Sequence, residues 1–347
     1  MQSAKNNNET LLQKFSRAWK TNPLFSTGCV LVLMVILQTV ALGFEFESFG
    51  AWFNSWYRNW INILRNNAGV GIVALGMTFV IISGGIDLAC GSTLVAVGAV
   101  LMVFINEYPN GVLTSMGIVG FPAYLIGIIV ALLVGAGIGS INGFLIAKSK
   151  LPAFIATLGM MKICRSVTQQ CMQTVGIQVP SGFLAITNTK IFGLYLLPII
   201  YWIAAAVILH IISKKTAFGR YVYAIGSNER TTRLSGINVE KVKLLVYVLM
   251  GILVSITTII QVSRIGSMDY ASAVSGYEMD AIAAVVVGGT SMSGGKGSIL
   301  GTVLGMLIIA VMNNLLNLMG VPVFLREAFK GFIVIAAVLL QKKESAN

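Results

Sequence analysis

The stretch Gly276–Ser298, GYEMDAIAAVVVGGTSMSGGKGS, is compatible with few folds. Glu278 and Asp280 open an apolar run, and Gly288-Gly289 break it. A turn carrying Gly294, Gly295 and Gly297 then leads into a second apolar run, Ile299–Met312. Acids at the mouth of an apolar segment, followed by a glycine break, describe a membrane helix interrupted where the backbone turns sharply or approaches something closely. Thr78–Ser92, TFVIISGGIDLACGS, has the same grammar: an apolar run, Gly84-Gly85, then Asp87. Two such segments mark the working centre of a membrane protein, with Gly84, Gly85, Gly288 and Gly289 as candidate hinges.

Composition agrees. Charged residues are 10% and hydrophobic residues 56% of the chain, where a soluble domain carries about 25% charged residues. Such a chain cannot cover a water-facing surface. It is expected to be all-α and polytopic, with about ten transmembrane helices, each built on about 20 apolar residues. These fall near 25–44, 60–107 (two helices split at Gly84–Asp87), 121–147, 152–174, 194–213, 244–264, 278–318 (two split by the glycine turn) and 324–341. Residues 1–22 read as a polar, basic cytoplasmic tail with no evident cleavable signal peptide, 23–341 as the transmembrane domain, and 342–347 as a second cytoplasmic tail. The net charge of +12 reads as topology rather than nucleic-acid binding. With both termini inside, most Lys and Arg fall in cytoplasmic loops: Lys148 and Lys150, the stretch 214–243, Lys296, and Lys342 and Lys343.

Several chemistries are excluded. Cys29, Cys90, Cys164 and Cys171 show no metal-ligand spacing, and His210 is the sole histidine. Gly294-Gly295-Lys296-Gly297-Ser298 lacks the glycine spacing of a phosphate-binding loop and sits between spans. The chain is therefore expected to use no metal or cofactor and to hydrolyse no ATP.

A charged side chain deep in a membrane must face protein or water. Asp87 reads either as a cap accepting backbone N–H bonds after the glycine break or as part of a pathway. Glu278 and Asp280 are balanced between the same two roles. Lys162 and Arg165 are three apart and hence on one helix face. With Gln169, Gln170 and Gln173 they make 152–174 the most polar span, one that lines a cavity. Gly127, Gly135, Gly139 and Gly143 form a small-residue face for close helix packing. The polar stretch Lys214–Lys243 contains a short helix: Asn228 is its N-cap, Glu229 lies in the first turn, Leu234 offers an apolar contact, and Gly236 is the C-terminal stop. A second short amphipathic piece is expected after it. The mixture of Arg230, Arg233, Leu234 and Ile237 suits a docking surface.

These stretches carry a family resemblance. Asn62–Arg65 (NILR), Ala74–Ser92, Leu151–Gly159 (LPAFIATLG), Ser227–Asn238 (SNERTTRLSGIN), Tyr277–Ser298 and Asn313–Leu318 (NNLLNL) resemble the membrane permease subunits of bacterial carbohydrate ABC importers. That group serves ribose, xylose, arabinose, galactose and autoinducer-type sugars, and the likeness is greatest to its ribose-serving members. The resemblance implies an inner-membrane homodimer moving a monosaccharide by alternating access. A periplasmic sugar-binding protein would deliver substrate, and a separate cytoplasmic ATPase would power the cycle. It further implies that Asn228, Glu229, Arg230, Arg233, Leu234, Ser235, Gly236 and Ile237 form the segment coupled to that ATPase. Arg230 and Thr231 stand where the family usually has small residues, and Ala89-Cys90 where it commonly has Ser-Val. On this reading Asp87, Lys162, Arg165, Gln170, Glu278 and Asp280 line or gate the path. The alternative is an ion-gradient-driven secondary sugar transporter, whose broken helices and in-membrane acids would look similar.

Overall fold

The computed structural model describes residues 23–44, 47–108, 111–172, 179–268 and 273–345. The expected N-terminal tail 1–22, Gln173, and residues 346–347 of the C-terminal tail lie outside the described residues. Among the described residues the only regular secondary structure is helical, apart from one isolated bridge between Ile191 and Leu194.

The chain runs α1 (Pro23–Ala41), α2 (Phe49–Ile82), α3 (Cys90–Ile105), α4 (Val112–Ser115), α5 (Phe121–Ala147), α6 (Ala153–Met172) and α7 (Ser181–Asn188). It continues through α8 (Leu197–Lys215), α9 (Ala217–Ser227), α10 (Glu229–Leu234), α11 (Val239–Ile265), α12 (Tyr277–Val287), α13 (Ile299–Leu318) and α14 (Val323–Ser345). Six of them, α1, α2, α5, α8, α11 and α13, are long and apolar enough to cross a membrane. The 16-residue α3 is apolar but shorter. The two glycine breaks explain the short helices. At 1.5 Å per residue, α3 rises about 24 Å and the 11-residue α12 about 16 Å, against a hydrocarbon core of about 30 Å. Conversely, α2 has 34 residues and rises about 51 Å. Its last fifteen residues are buried, while its first turns carry a ladder of rings, stacked from Phe49 through Trp52 to Trp56 and tilted at Trp60. Aromatic residues collect at membrane–water boundaries in this way.

Two small-residue seams hold the bundle. In the first, α5 lies against α11: a Cβ on Gly139 would overlap the Tyr247 carbonyl oxygen, and one on Gly135 would overlap Ser255 Oγ. Ser255 Oγ donates to the Ala131 carbonyl across the seam at 2.9 Å. In the second, α12 lies against α13: Gly288 and Gly301 each face the other's carbonyl, and Gly305 faces that of Ala284. Without a hydrophobic drive between helices in lipid, such backbone approach supplies much of the packing. Thr78 and Thr302 hydroxyls, 2.7 Å apart, join α2 to α13. Outward faces are apolar and exposed, as at Leu133 of α5, Val207 of α8 and Phe332 of α14.

One local expectation is corrected. Val239–Lys243 is not a separate amphipathic piece but the first turns of α11, started by Asn238 Oδ1 accepting from Lys241 N at 2.9 Å. The amphipathic helix instead precedes the short one. It is α9, capped by Thr216 and burying Gly219, Val222 and Ile225.

Candidate functional site

The two glycine breaks and the polar stretch 214–243 meet at one point. Gly295 N, in the turn after α12, donates to the carbonyl of Ile82 at the end of α2, 2.9 Å away. Gly226, near the end of α9, is pressed against the same place: a Cβ there would overlap the Ile82 oxygen and come 2.5 Å from Gly295 N. A Cβ on Gly295 would meet Ser227 at 2.8 Å. Gly294 and Gly295 have φ of +83° and +72°, a region open to glycine at no steric cost. Tyr223 Oη adds a bond to the Gly297 carbonyl at 2.9 Å. The end of α9 is therefore in contact with both breaks.

The helix α10 projects from this junction. Asn228 Oδ1 accepts from Thr231 N at 2.9 Å, and Gly236 ends the helix at φ +79°. Both were legible from residue type. An ion network fastens α10 to the foot of α11: Glu229 lies 2.6 Å from Lys243 and 3.4 Å from Arg233, and Arg233 lies 2.5 Å from Glu240. The hydrogen bond from Lys243, assisted by Arg233, holds the Glu229 carboxyl below its ordinary value of 4.5. Arg230, Ser235 and Gly236 are exposed, and Ile237 is half-buried against the core. Leu234 is 82% exposed, so the apolar contact it offers is not taken up within the chain.

The interior polar group lies at the first break. Residues 83–89 leave the helix, with Gly84 at φ +80°. Tyr247 Oη donates to the Ile86 carbonyl at 3.2 Å. Tyr247 is eight residues into α11, which puts this contact about 12 Å along that helix. Asp87 is buried, and its Oδ1 accepts from Ala89 N at 2.8 Å. It thus satisfies the entry to α3 two residues on, rather than standing at the N-cap, which is Ala89. Glu278 of α12 faces the same turn: a Cβ on Gly91 would come 2.6 Å from Glu278 Oε2. Arg165 of α6, whose charge acts on Glu278, donates to the Ala273 carbonyl at 3.2 Å. Asp87, Glu278 and Arg165 are thus brought together. Lys162 and Gln170 are not: both are exposed on the outer side of α6.

Asp280 points elsewhere. Two residues from Glu278 on a helix, it faces the opposite way and pairs with Lys330 of α14 at 2.9 Å, with Glu327 2.8 Å from the same ammonium. Sequence reading missed Lys330. The signal was a cation in the middle of the apolar run 324–341, opposite an in-membrane acid that needs a counter-charge. Of the proposed hinges, Gly289 has φ +86° and Gly84 +80°, whereas Gly288 keeps φ −70° and is needed for space against Gly301. Clusters of acids, histidines and cysteines fit for a metal are absent among the described residues.

A multi-helix bundle with two broken helices, tied by backbone contacts to an exposed charged helix, defines a membrane permease component. The match is explicit: residues 59–338 fit the family described as branched-chain amino acid transport system / permease component, and the chain belongs to that family. It is a multi-pass inner-membrane protein of the bacterial type. Among its relatives, the ribose import permease protein RbsC of Escherichia coli K12 is 39% identical over 338 residues, covering 95% of this chain and 96% of the relative. RbsC of Bacillus subtilis is 42% identical over 291 residues, 83% of this chain and 86% of the relative. The xylose transport system permease protein XylH of E. coli K12 is 33% identical over 370 residues, 89% and 90% respectively. No solved structure matches. The ion-gradient-driven alternative draws no support from these matches.

Proposed function

We propose that the chain is the permease subunit of an ATP-driven importer of ribose or a related pentose. The similarity to ribose and xylose permeases over nearly the whole chain supports the substrate class. The observation that carries the mechanism is the shared contact of Ile82, Gly226 and Gly295. It puts α9, and through it the exposed helix α10, in backbone contact with both interrupted segments. A separate ATPase seated on Arg230, Arg233 and Leu234 would move α9 and α10, and both breaks would shift with them. That is the lever alternating access requires.

In this reading the ten apolar segments are ten spans, and the α10 end faces the cytoplasm along with both termini. Residues 214–243 are the coupling segment within a transmembrane domain spanning 23–341. The path is gated where Asp87, Glu278 and Arg165 converge at the first turn of α3. Lys162 and Gln170, on the exposed side of α6, would line it together with a second copy of the chain. Asp280 acts through Lys330 by fixing α12. A periplasmic binding protein would select the sugar.

The test is ribose uptake into proteoliposomes holding this chain alone, then with its ATPase and binding protein. Uptake that appears only with all components and ATP is the expected result. Uptake by the chain alone under an ion gradient would overturn the reading.

A further inference from the structure

A cavity of about 630 Å³ opens beside α10. Its lining includes Gly84, Gly85 and Tyr247 together with three cations, Lys150, Arg233 and Lys243, and one carboxylate, Glu229. The volume is that of a small-molecule site. The charge is wrong for a neutral sugar, which has no use for three cations.

Lys243 is held by Glu229 at 2.6 Å, and Arg233 by Glu240 at 2.5 Å and by Glu229 at 3.4 Å. Lys150 makes no ion pair among the described residues. Its backbone has φ +56°, a conformation that residues with a Cβ seldom adopt and that gathers at ligand clamps. A phosphate group suits these cations: Arg and Lys bind it through charge-assisted hydrogen bonds. It would compete with the Glu229 and Glu240 carboxylates for Lys243 and Arg233 while gaining Lys150 as a third. The uncharged remainder of such a ligand would lie toward the glycine backbone and Tyr247.

We propose that this cavity binds a phosphorylated monosaccharide and that its binding restrains import. This rests on the reading of the α10 end as cytoplasmic and the cargo as a sugar. Phosphoryl transfer to the imported sugar is the reaction class that makes such a ligand on that side. Occupancy draws Lys243 away from Glu229 and Arg233 away from Glu240, loosening the network that fastens α10 to α11. The product of the sugar's own consumption thereby slows its supply.

The test is isothermal titration of the full-length permease in lipid nanodiscs with ribose 5-phosphate, inorganic phosphate and ribose, each with and without anionic lipid. The sugar phosphate is expected to bind, more tightly than inorganic phosphate and without competition from ribose. Lys150→Gln should weaken it about tenfold, the size of one lost charge-assisted contact, and Glu229→Gln should tighten it severalfold. In vesicles that also hold the ATPase and binding protein, ribose 5-phosphate on the α10 side should slow wild-type uptake but not that of Lys150→Gln, whose uptake without it stays at the wild-type level. The proposal is overturned by absence of binding at millimolar ligand or by unchanged affinity in Lys150→Gln. It is also overturned by inorganic phosphate binding as tightly as the sugar phosphate, or by a site already filled by anionic lipid. Titration reads binding without transport, so a chain that binds but does not import would fail the transport reading and leave the site standing.

Discussion

The Asp280 carboxylate lies 2.9 Å from the Lys330 ammonium, and this pair fastens the half-length helix α12 to α14. Each side chain keeps only about an eighth of its surface exposed. Removing one member of a buried pair strands the other, at a cost of about 3–5 kcal/mol, whereas replacing both by apolar or neutral groups is often close to neutral. Lys330→Met should therefore lower the thermal stability of the detergent-solubilised permease markedly. Adding Asp280→Asn to the same chain should recover most of the loss. Thermal melting followed by size-exclusion chromatography measures both. An equal loss in the single and double variants would show that the pair does not fasten α14.

Tyr247 makes a separable prediction. Its hydroxyl supplies the Ile86 carbonyl, part of the unwound segment between α2 and α3, with a donor. Tyr247→Phe keeps the ring and leaves a half-buried carbonyl without that partner, at about 1 kcal/mol. If Tyr247 ties the movement of α11 to the break, the variant should retain nucleotide hydrolysis by the partner ATPase and lose about tenfold in sugar moved per ATP. Parallel assays of uptake and phosphate release in the same proteoliposomes give that ratio. An unchanged ratio would reduce Tyr247 to a packing residue.

How much of this could be read from the sequence follows from how local each feature is. The glycine breaks, Asn228 as a cap and Gly236 as a stop are written in a few adjacent residues, and the structure has them. The cap at Asp87 was nearly right: the acid does accept a backbone N–H, but from Ala89, and the helix begins one residue later. Lys330 was not found because its partner is 50 residues away and only the packing of α14 on α12 brings them together. Gly226 escaped for a similar reason. Nothing in AIGSN distinguishes it from a turn glycine until the Ile82 carbonyl occupies the place of its missing Cβ.

The Ile82–Gly226–Gly295 junction predicts a contrast among glycines. Gly226→Ala forces a methyl group into the Ile82 carbonyl oxygen and against Gly295 N. Neither neighbour is the movable end of a side chain, so the backbone must shift. Overpacking of this kind costs about 1–3 kcal/mol. Gly159→Ala on α6 and Gly137→Ala on α5 meet nothing within 4 Å and should be silent or slightly stabilising through helix propensity. Uptake should fall sharply in Gly226→Ala alone. Retained uptake there would mean that the three segments move independently and that the junction does not transmit.

The ion network at α10 sets the sign of a pH effect. Lys243 and Arg233 depress the folded-state carboxyl of Glu229 below its ordinary 4.5. A depressed carboxyl contributes stability that is fully present above the unfolded value and is lost as pH falls through the folded one. The fastening of α10 to α11 should thus be constant from pH 8 to about 5 and weaken only below that, as the Glu229 carboxylate takes up a proton. Because Glu229 keeps 46% of its side-chain surface exposed, the effect is small and is screened by salt. Hydrogen exchange of the α10 amides, recorded against pH at low and high salt, should rise in acid for the wild type. In Glu229→Gln the amides should exchange faster throughout, with the acid step removed. A step that survives Glu229→Gln would assign the titration to Glu240 instead, the other carboxylate holding Arg233.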